Sequence, residues 1–306
     1  MSDTSPVAHI SAQTPLLPAI NAWQMFLNDQ GRSPYTIKAF MSDLGLLASY
    51  FPPDRPLGAI TTDDLIRYLD WMQHERGVPC SPKTLARRIT STKSFFRWLH
   101  QYGVLIVDPA ERVPQRSVIS PLPTILTEEE TAAVLQAAEA HRRQEKPDAR
   151  YYALIYLVLA TGIKKSECLG LHLNHVDLEA PDGPMVFIRY ASPSNRYKER
   201  KIALPDDWIP AYQEYLAQYQ PVDQLFPWSP RRLEYLLEDI GKEAGLVDKH
   251  LSFDMCRWTC AVQDFQGGMD PDRVRQKLGV SKIQFREIHM KLRQLAGESA
   301  ITDGED

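Results

Sequence analysis

Apolar residues in the first third of the chain return every three or four positions. After Ser33-Pro34, the run Ile37, Phe40, Met41, Leu44, Leu47 and Ala48 keeps the 3.6-residue period of an amphipathic helix. The serine supplies an N-cap, and the proline enters the first turn with its φ already helical. Thr62 caps a second pattern through Leu65, Tyr68, Leu69 and Met72. Ser81-Pro82 opens a third that runs to about His100, with Gly103 as its stop. These periods predict a wholly helical first domain over 17–110.

The pattern then breaks. Residues 111–126, ERVPQRSVISPLPTIL, hold three prolines and little periodicity, and read as a linker. A second domain opens at Thr127, where Thr-Glu-Glu-Glu has the form of a capping box. Helices are expected at about 128–142 and 150–160. Short β-prone runs at 185–190 and 201–204 flank the polar stretch ASPSNRYKER and predict a hairpin. Helical patterns resume near Trp208, Arg231, Met255, Pro271 and Lys282. The expected fold is mainly α: a two-domain clamp, with an all-α N-terminal domain and an α-rich C-terminal domain over 127–296 carrying a small antiparallel sheet. A flexible polar tail, 1–16, and an acidic tail, 297–306, are expected at the ends.

Composition narrows the classes. An apolar fraction of 43% and a charged fraction of 24% are those of a soluble globular chain. The longest apolar run, 151–160, is half of what a bilayer span needs. The N-terminus lacks a basic region and an apolar core, so no secretory signal is expected. Cys80, Cys168, Cys256 and Cys260 have no metal-ligand spacing, and Cys256 and Cys260 are expected as buried free thiols on one helix face. A cytoplasmic protein without metal or cofactor is the simplest reading.

Net charge is −4, yet the charges are unevenly placed. Residues 76–107 hold six cations (Arg76, Lys83, Arg87, Arg88, Lys93, Arg97) and no acid, and residues 273–293 hold seven cations against Glu287 alone. On a helical wheel, Lys83, Arg87 and Arg97 oppose Leu85, Ile89, Phe96 and Leu99. Lys93 lies nearer the edge, and Arg88 falls among the apolar residues, where it must snorkel. A solubilising face usually mixes both signs. This one-signed face suits the phosphates of double-stranded DNA.

Several segments, in order, resemble the tyrosine recombinase or phage integrase family. SPYTIKAFMSDLGLLASYF and SPKTLARRITSTKSFFRWLHQYGVLIVDPAERV are similar to its helical core-binding domain. LPTILTEEETAAVL resembles the entry to its catalytic domain. ATGIKKSECLGLHLNHVDLE resembles its TGLRxSEL segment, RYKERKIALP its hairpin strand, and RWTCAV…QKLGVSKI its final helices. The resemblance implies a tyrosine that attacks a DNA phosphate, two arginines that clamp it, and a lysine and histidines that move protons.

Carried over by position, those roles fall on altered residues. The first arginine is Lys164, followed by the family's neighbouring acid at Glu167. The hairpin lysine falls on Asn195 or Arg196, flanked by Lys198 and Arg200. His-x-x-Arg becomes Asp254-x-x-Arg257, the later LGH ends in Val280, and the nucleophile position is His289. No tyrosine follows Tyr235. Arg257 is placed either to pair with Asp254, three residues earlier, or to hold a phosphate. His289 is expected to be exposed beside Lys282 and Arg286. The resemblance therefore implies a DNA-binding, recombinase-like protein that has lost strand cleavage. It would act as an accessory factor beside an active recombinase, or self-associate on DNA. DNA contacts are expected from Lys83, Arg87, Lys93, Arg97, Lys198 and Arg200. The rival readings are an active recombinase with an unusual site, and a protein-interaction scaffold that the acidic balance favours.

Overall fold

The structure is a computed structural model that describes residues 7–78, 80–115 and 121–297. The chain divides between Pro121 and Leu122 into two compact units. It is mainly helical with one small sheet, the predicted class.

The first unit holds α1 (Leu16–Asp29), α2 (Pro34–Tyr50), α3 (Thr62–His74) and α4 (Pro82–Gln101). Ser33 and Ser81 cap α2 and α4 by accepting the Thr36 and Thr84 N–H groups, each at 3.2 Å. The cap of α3 is Thr61 rather than Thr62, because the Asp64 carboxylate reaches back to the Thr61 N–H at 3.0 Å. Leu16, Ala19, Ile20, Trp23 and Leu27 form the buried stripe of α1. Trp23 stacks on Phe40 of α2 and meets Phe95 of α4 edge-on, so one indole joins three helices.

The expected N-terminal tail is corrected over 7–15. Val7, Ile10 and Ala12 pack on the core, and the Gly58 and Leu57 N–H groups donate to the Ala12 and Thr14 carbonyls at 2.8 and 3.0 Å. Such a strap has neither helical nor strand period, so the pattern hid it. Residues 1–6 of that tail, 116–120 of the expected linker and 298–306 of the acidic tail lie outside the described residues.

The second unit contains α5 (Glu128–Arg142), α6 (Arg150–Thr161), α7 (Lys165–Leu169), β1 (Val176–Asp177), β2 (Met185–Ile188), β3 (Arg200–Ala203), α8 (Ile209–Tyr219), α9 (Pro230–Glu243), α10 (Phe253–Gln266), α11 (Pro271–Leu278) and α12 (Lys282–Leu295). The sheet is antiparallel in the order β1-β2-β3, with Val186 opposite Ile202 and Phe187 opposite Lys201. The predicted hairpin is present, joined through a 3-10 turn at Pro193–Lys198. β1 was not expected, since two residues carry no readable alternation. Cys256 and Cys260 are buried free thiols, as their spacing implied. Among the described residues no helix is long and apolar enough to cross a membrane.

Candidate functional site

Helix α6 stops at Gly162, whose φ of +60° is left-handed. The chain then runs extended through Lys164, and the single turn of α7 aims Glu167 back, so that its carboxylate accepts the Lys164 N–H at 2.9 Å. Glu167 is buried, and it receives a guanidinium from the sheet. Arg200 Nη1 and Nη2 donate to Glu167 Oε1 and Oε2 at 3.0 and 2.9 Å, and the Tyr190 hydroxyl donates to Oε1. Burial alone would raise the Glu167 carboxyl, but the Arg200 bonds and charge, the Lys164 N–H and Tyr190 together hold it at about 2. Burial and the Glu167 bond push the Tyr190 phenol upward.

Arg200 also donates through Nε to the Lys277 carbonyl at 2.6 Å, and through Nη1 to the Lys198 carbonyl at 3.1 Å. This corrects its expected place on a DNA-facing surface. In β3 it shares the inward phase of Ile202, so the pleat carries it into the unit. Gly279 makes room for it. A Cβ there would stand 2.5 Å from Arg200 Nη1, and its φ of +59° already favours glycine.

Arg257 enters from α10. Its Nη1 and Nη2 donate to the Gly162 and Leu278 carbonyls, both at 2.5 Å. These carbonyls stand at the C-terminal ends of α6 and α11, where acceptors lack helical partners and carry the negative end of the helix dipole. Of the two readings of Arg257, the pair with Asp254 does not form: Asp254 is exposed while Arg257 turns inward. Lys164 Nζ lies 3.9 Å from Glu167 Oε1. Burial lowers its pKa against the pull of Glu167, and Arg257, Arg200 and Lys198 lower it further. Lys198 donates to Asn195 Oδ1 at 2.8 Å and lies over the rings of Tyr197 and Tyr190. Arg196 is exposed.

Val280 is half-buried, and its carbonyl accepts Arg275 Nη1 at 3.1 Å. His289 is half-buried too, which corrects the expected exposure. Its ring stacks on Phe285 (5.7 Å, 11°) and meets Phe265 edge-on at 5.6 Å. Lys164 and Arg200 thus face one buried acid whose charge also reaches Arg257, and both guanidinium groups are bonded to the protein itself. Sequence reasoning missed Tyr190 in this cluster; it has no motif, and only its place at the end of β2 brings its hydroxyl to Glu167.

On α4, Lys83 and Arg97 are exposed as expected. Arg87 is not free: its Nη1 donates to buried Asp43 at 2.6 Å. Arg88 does not snorkel, but lies mostly buried with Nε 3.7 Å from Asp43 and Nη1 2.9 Å from Met72 Sδ. Ser91 adds a bond to Asp43 at 2.7 Å. Lys93 donates to the Glu111 carbonyl at 3.2 Å. In the second basic run, Arg275, Lys277 and Lys291 pair with Asp272, Asp264 and Glu287.

Two family models fit this chain. The phage integrase family model covers residues 124–293, and the phage integrase N-terminal SAM-like domain covers 20–103. The chain belongs to the phage integrase family. Among the relatives of this integrase-family chain, the tyrosine recombinase XerC of Mycobacterium sp. (strain JLS) is 30% identical over 287 residues, spanning 88% of this chain and 92% of the relative. That of Corynebacterium efficiens is 28% identical, spanning 85% and 81%. Two solved structures share the fold. XerH site-specific recombinase bound to palindromic difH substrate has a TM-score of 0.73 at 20% identity, covering 93% of this chain and 85% of that one. A lambda integrase dimer bound to a COC' core site has 0.69 at 15%, covering 96% and 80%.

Proposed function

We propose that this integrase-family protein binds double-stranded DNA without cutting it, as an accessory or regulatory factor beside an active recombinase. The observation that carries the proposal is the state of the nucleophile position. His289 stands there between Phe285 and Phe265, and no tyrosine follows Tyr235. The supporting positions agree. The Arg257 fork is bonded to two carbonyls, Lys164 offers a point charge where a planar fork would grip two oxygens, and Asp254 and Val280 bring no imidazole. Catalytic groups act as a unit, so loss of several leaves little for a lone histidine. The DNA-binding part is supported by exposed Lys83 and Arg97 on α4, and by fold neighbours whose names place them on DNA.

Incubation with nicked suicide substrates followed by denaturing electrophoresis tests the proposal. No DNA-linked band is expected. A band that disappears in His289→Ala overturns the non-cutting reading and favours the rival drawn from the XerC relatives, an active recombinase with an altered site.

A further inference from the structure

The four cysteines stand in two different settings. Cys168, Cys256 and Cys260 are buried in the second unit, where burial pushes each thiol up, Cys256 and Cys260 to about 12. Cys80 is half-buried, just ahead of Ser81, the cap of α4. Its Sγ accepts the Arg88 Nη1 donor at 3.5 Å, and the same Nη1 lies 2.9 Å from Met72 Sδ of α3. A further contact from Sγ, to the Ser81 carbonyl, is long at 3.8 Å.

The surroundings of Arg88 hold more donors than acceptors. Arg88 Nε is buried without a hydrogen bond, since Asp43 Oδ1 stands 3.7 Å away. Asp43 takes its short bonds from Arg87 and Ser91 instead, at 2.6 and 2.7 Å. The Tyr68 hydroxyl is also buried without a protein partner among the described residues, in a residue only 1% exposed. Tyr68 sits one turn before Met72 on the same face of α3, and the charges of Arg88 and Cys80 both reach its phenol. Arg87 and Arg88 against the single carboxylate of Asp43 leave the cluster with positive charge to spare. A buried donor left unmet is costly, and an oxygen atom on Sγ gives these donors an acceptor.

We infer that Cys80 is a site of reversible oxidation by hydroperoxides, which convert its thiol to a sulfenic acid held by the Arg88 guanidinium. The sulfur attacks one oxygen of the peroxide, and the O–O bond breaks as the S–O bond forms. The displaced oxygen leaves with the thiol proton, as water or an alcohol, so sulfur is oxidised and the peroxide reduced. Arg88 is a positioning residue: its guanidinium steadies the negative oxygen of the ionised product through a charge-assisted bond. The other thiols are buried, so none is free to close a disulfide with Cys80. The oxygen therefore stays on Sγ until a small thiol removes it. The product also sets a second anion beside Arg88, whose carboxylate neighbour, Asp43, links α2 to α4. None of this depends on the DNA-binding reading above.

The test treats the folded full-length protein with hydrogen peroxide and an excess of dimedone, a carbon nucleophile that traps sulfenic acids, and reads the product by peptide mass spectrometry. Trapping is expected at Cys80 and not at Cys168, Cys256 or Cys260, and Cys80→Ser should abolish it. Arg88→Gln should slow trapping about tenfold, the scale of one charge-assisted hydrogen bond, with thermal melts confirming the fold. Arg88 is mostly buried, so a second comparison covers the case in which that variant does not fold. A synthetic peptide of residues 76–84 carries Cys80 without Arg88, and wild type should be trapped faster than the peptide. The inference is overturned if wild type is not trapped, if trapping spreads evenly over all four cysteines, or if wild type reacts no faster than the peptide. A folded Arg88→Gln protein that reacts at the wild-type rate overturns it as well.

Discussion

Arg200 and Glu167 meet through two parallel bonds, 3.0 and 2.9 Å, with side chains only 8% and 0% exposed. Taking both charges out of water is costly, and the pair is helped by further bonds: the Lys164 N–H to Glu167, and Arg200 to the Lys277 and Lys198 carbonyls. It ties β3 to α7 and, through the Lys277 carbonyl, to α11. The polar groups of this cluster are thereby bonded to one another.

Removing one member should therefore be expensive. Glu167→Gln is expected to destabilise the second unit by about 3–5 kcal/mol, because it leaves the Arg200 charge buried without a counter-ion. Urea denaturation followed by tryptophan fluorescence measures it. A loss below 1 kcal/mol would show that the pair is incidental.

The same pair sets an acid limb. The Glu167 carboxyl is held at about 2, below its ordinary 4.5, so the stability it brings is present above about pH 4.5 and lost as pH falls toward 2. The melting temperature of wild type should drop through that window, and Glu167→Gln should drop less steeply. Parallel curves for the two proteins would contradict the assignment.

Gly279→Ala should dislodge Arg200. The left-handed backbone costs a non-glycine residue about 1 kcal/mol, and the added Cβ collides with the guanidinium. Arg200→Met removes both the clash and the ion pair, so the double variant should fall short of additivity by about 0.5–3 kcal/mol. Strictly additive losses in a double-mutant cycle would refute the contact.

In the first unit, Asp43 is buried and anchors Arg87, Arg88 and Ser91. Asp43→Ala should cost about 3 kcal/mol or more, since it strands the buried Arg88 guanidinium. Arg87→Gln should cost under about 1 kcal/mol, because Arg87 is half exposed. Thermal melts of the two variants decide the order.

Lys83→Gln/Arg97→Gln should flatten the DNA salt slope by up to about 1.8, with little change in stability. Adding Arg87→Gln should change the slope little further, because Asp43 already neutralises that guanidinium. An unchanged slope in the folded double variant would make α4 a solvated face.

Much of this protein was determined by local pattern. Helix positions followed from 3.6-residue periodicity and from serine and threonine caps, and these depend only on neighbours in the chain. The hairpin followed from two β-prone runs around a polar turn. The resemblance put the family's site positions on Lys164, Asp254, Val280 and His289 through the order of the motifs along the chain. What each side chain touches was decided by tertiary structure. Arg257 bypasses Asp254 because two helix ends, far apart in sequence, present their carbonyls to it. Asp43 captures Arg87 from another helix, so a wheel drawn on α4 alone could not reveal it. Arg200 and Lys201 are neighbours of equal charge, yet the pleat sends one to Glu167 and the other to solvent. Alternation with Ile202 and Leu204 carried that signal in the sequence. The acid waiting for Arg200 became visible only when the fold brought residues 33 apart into contact.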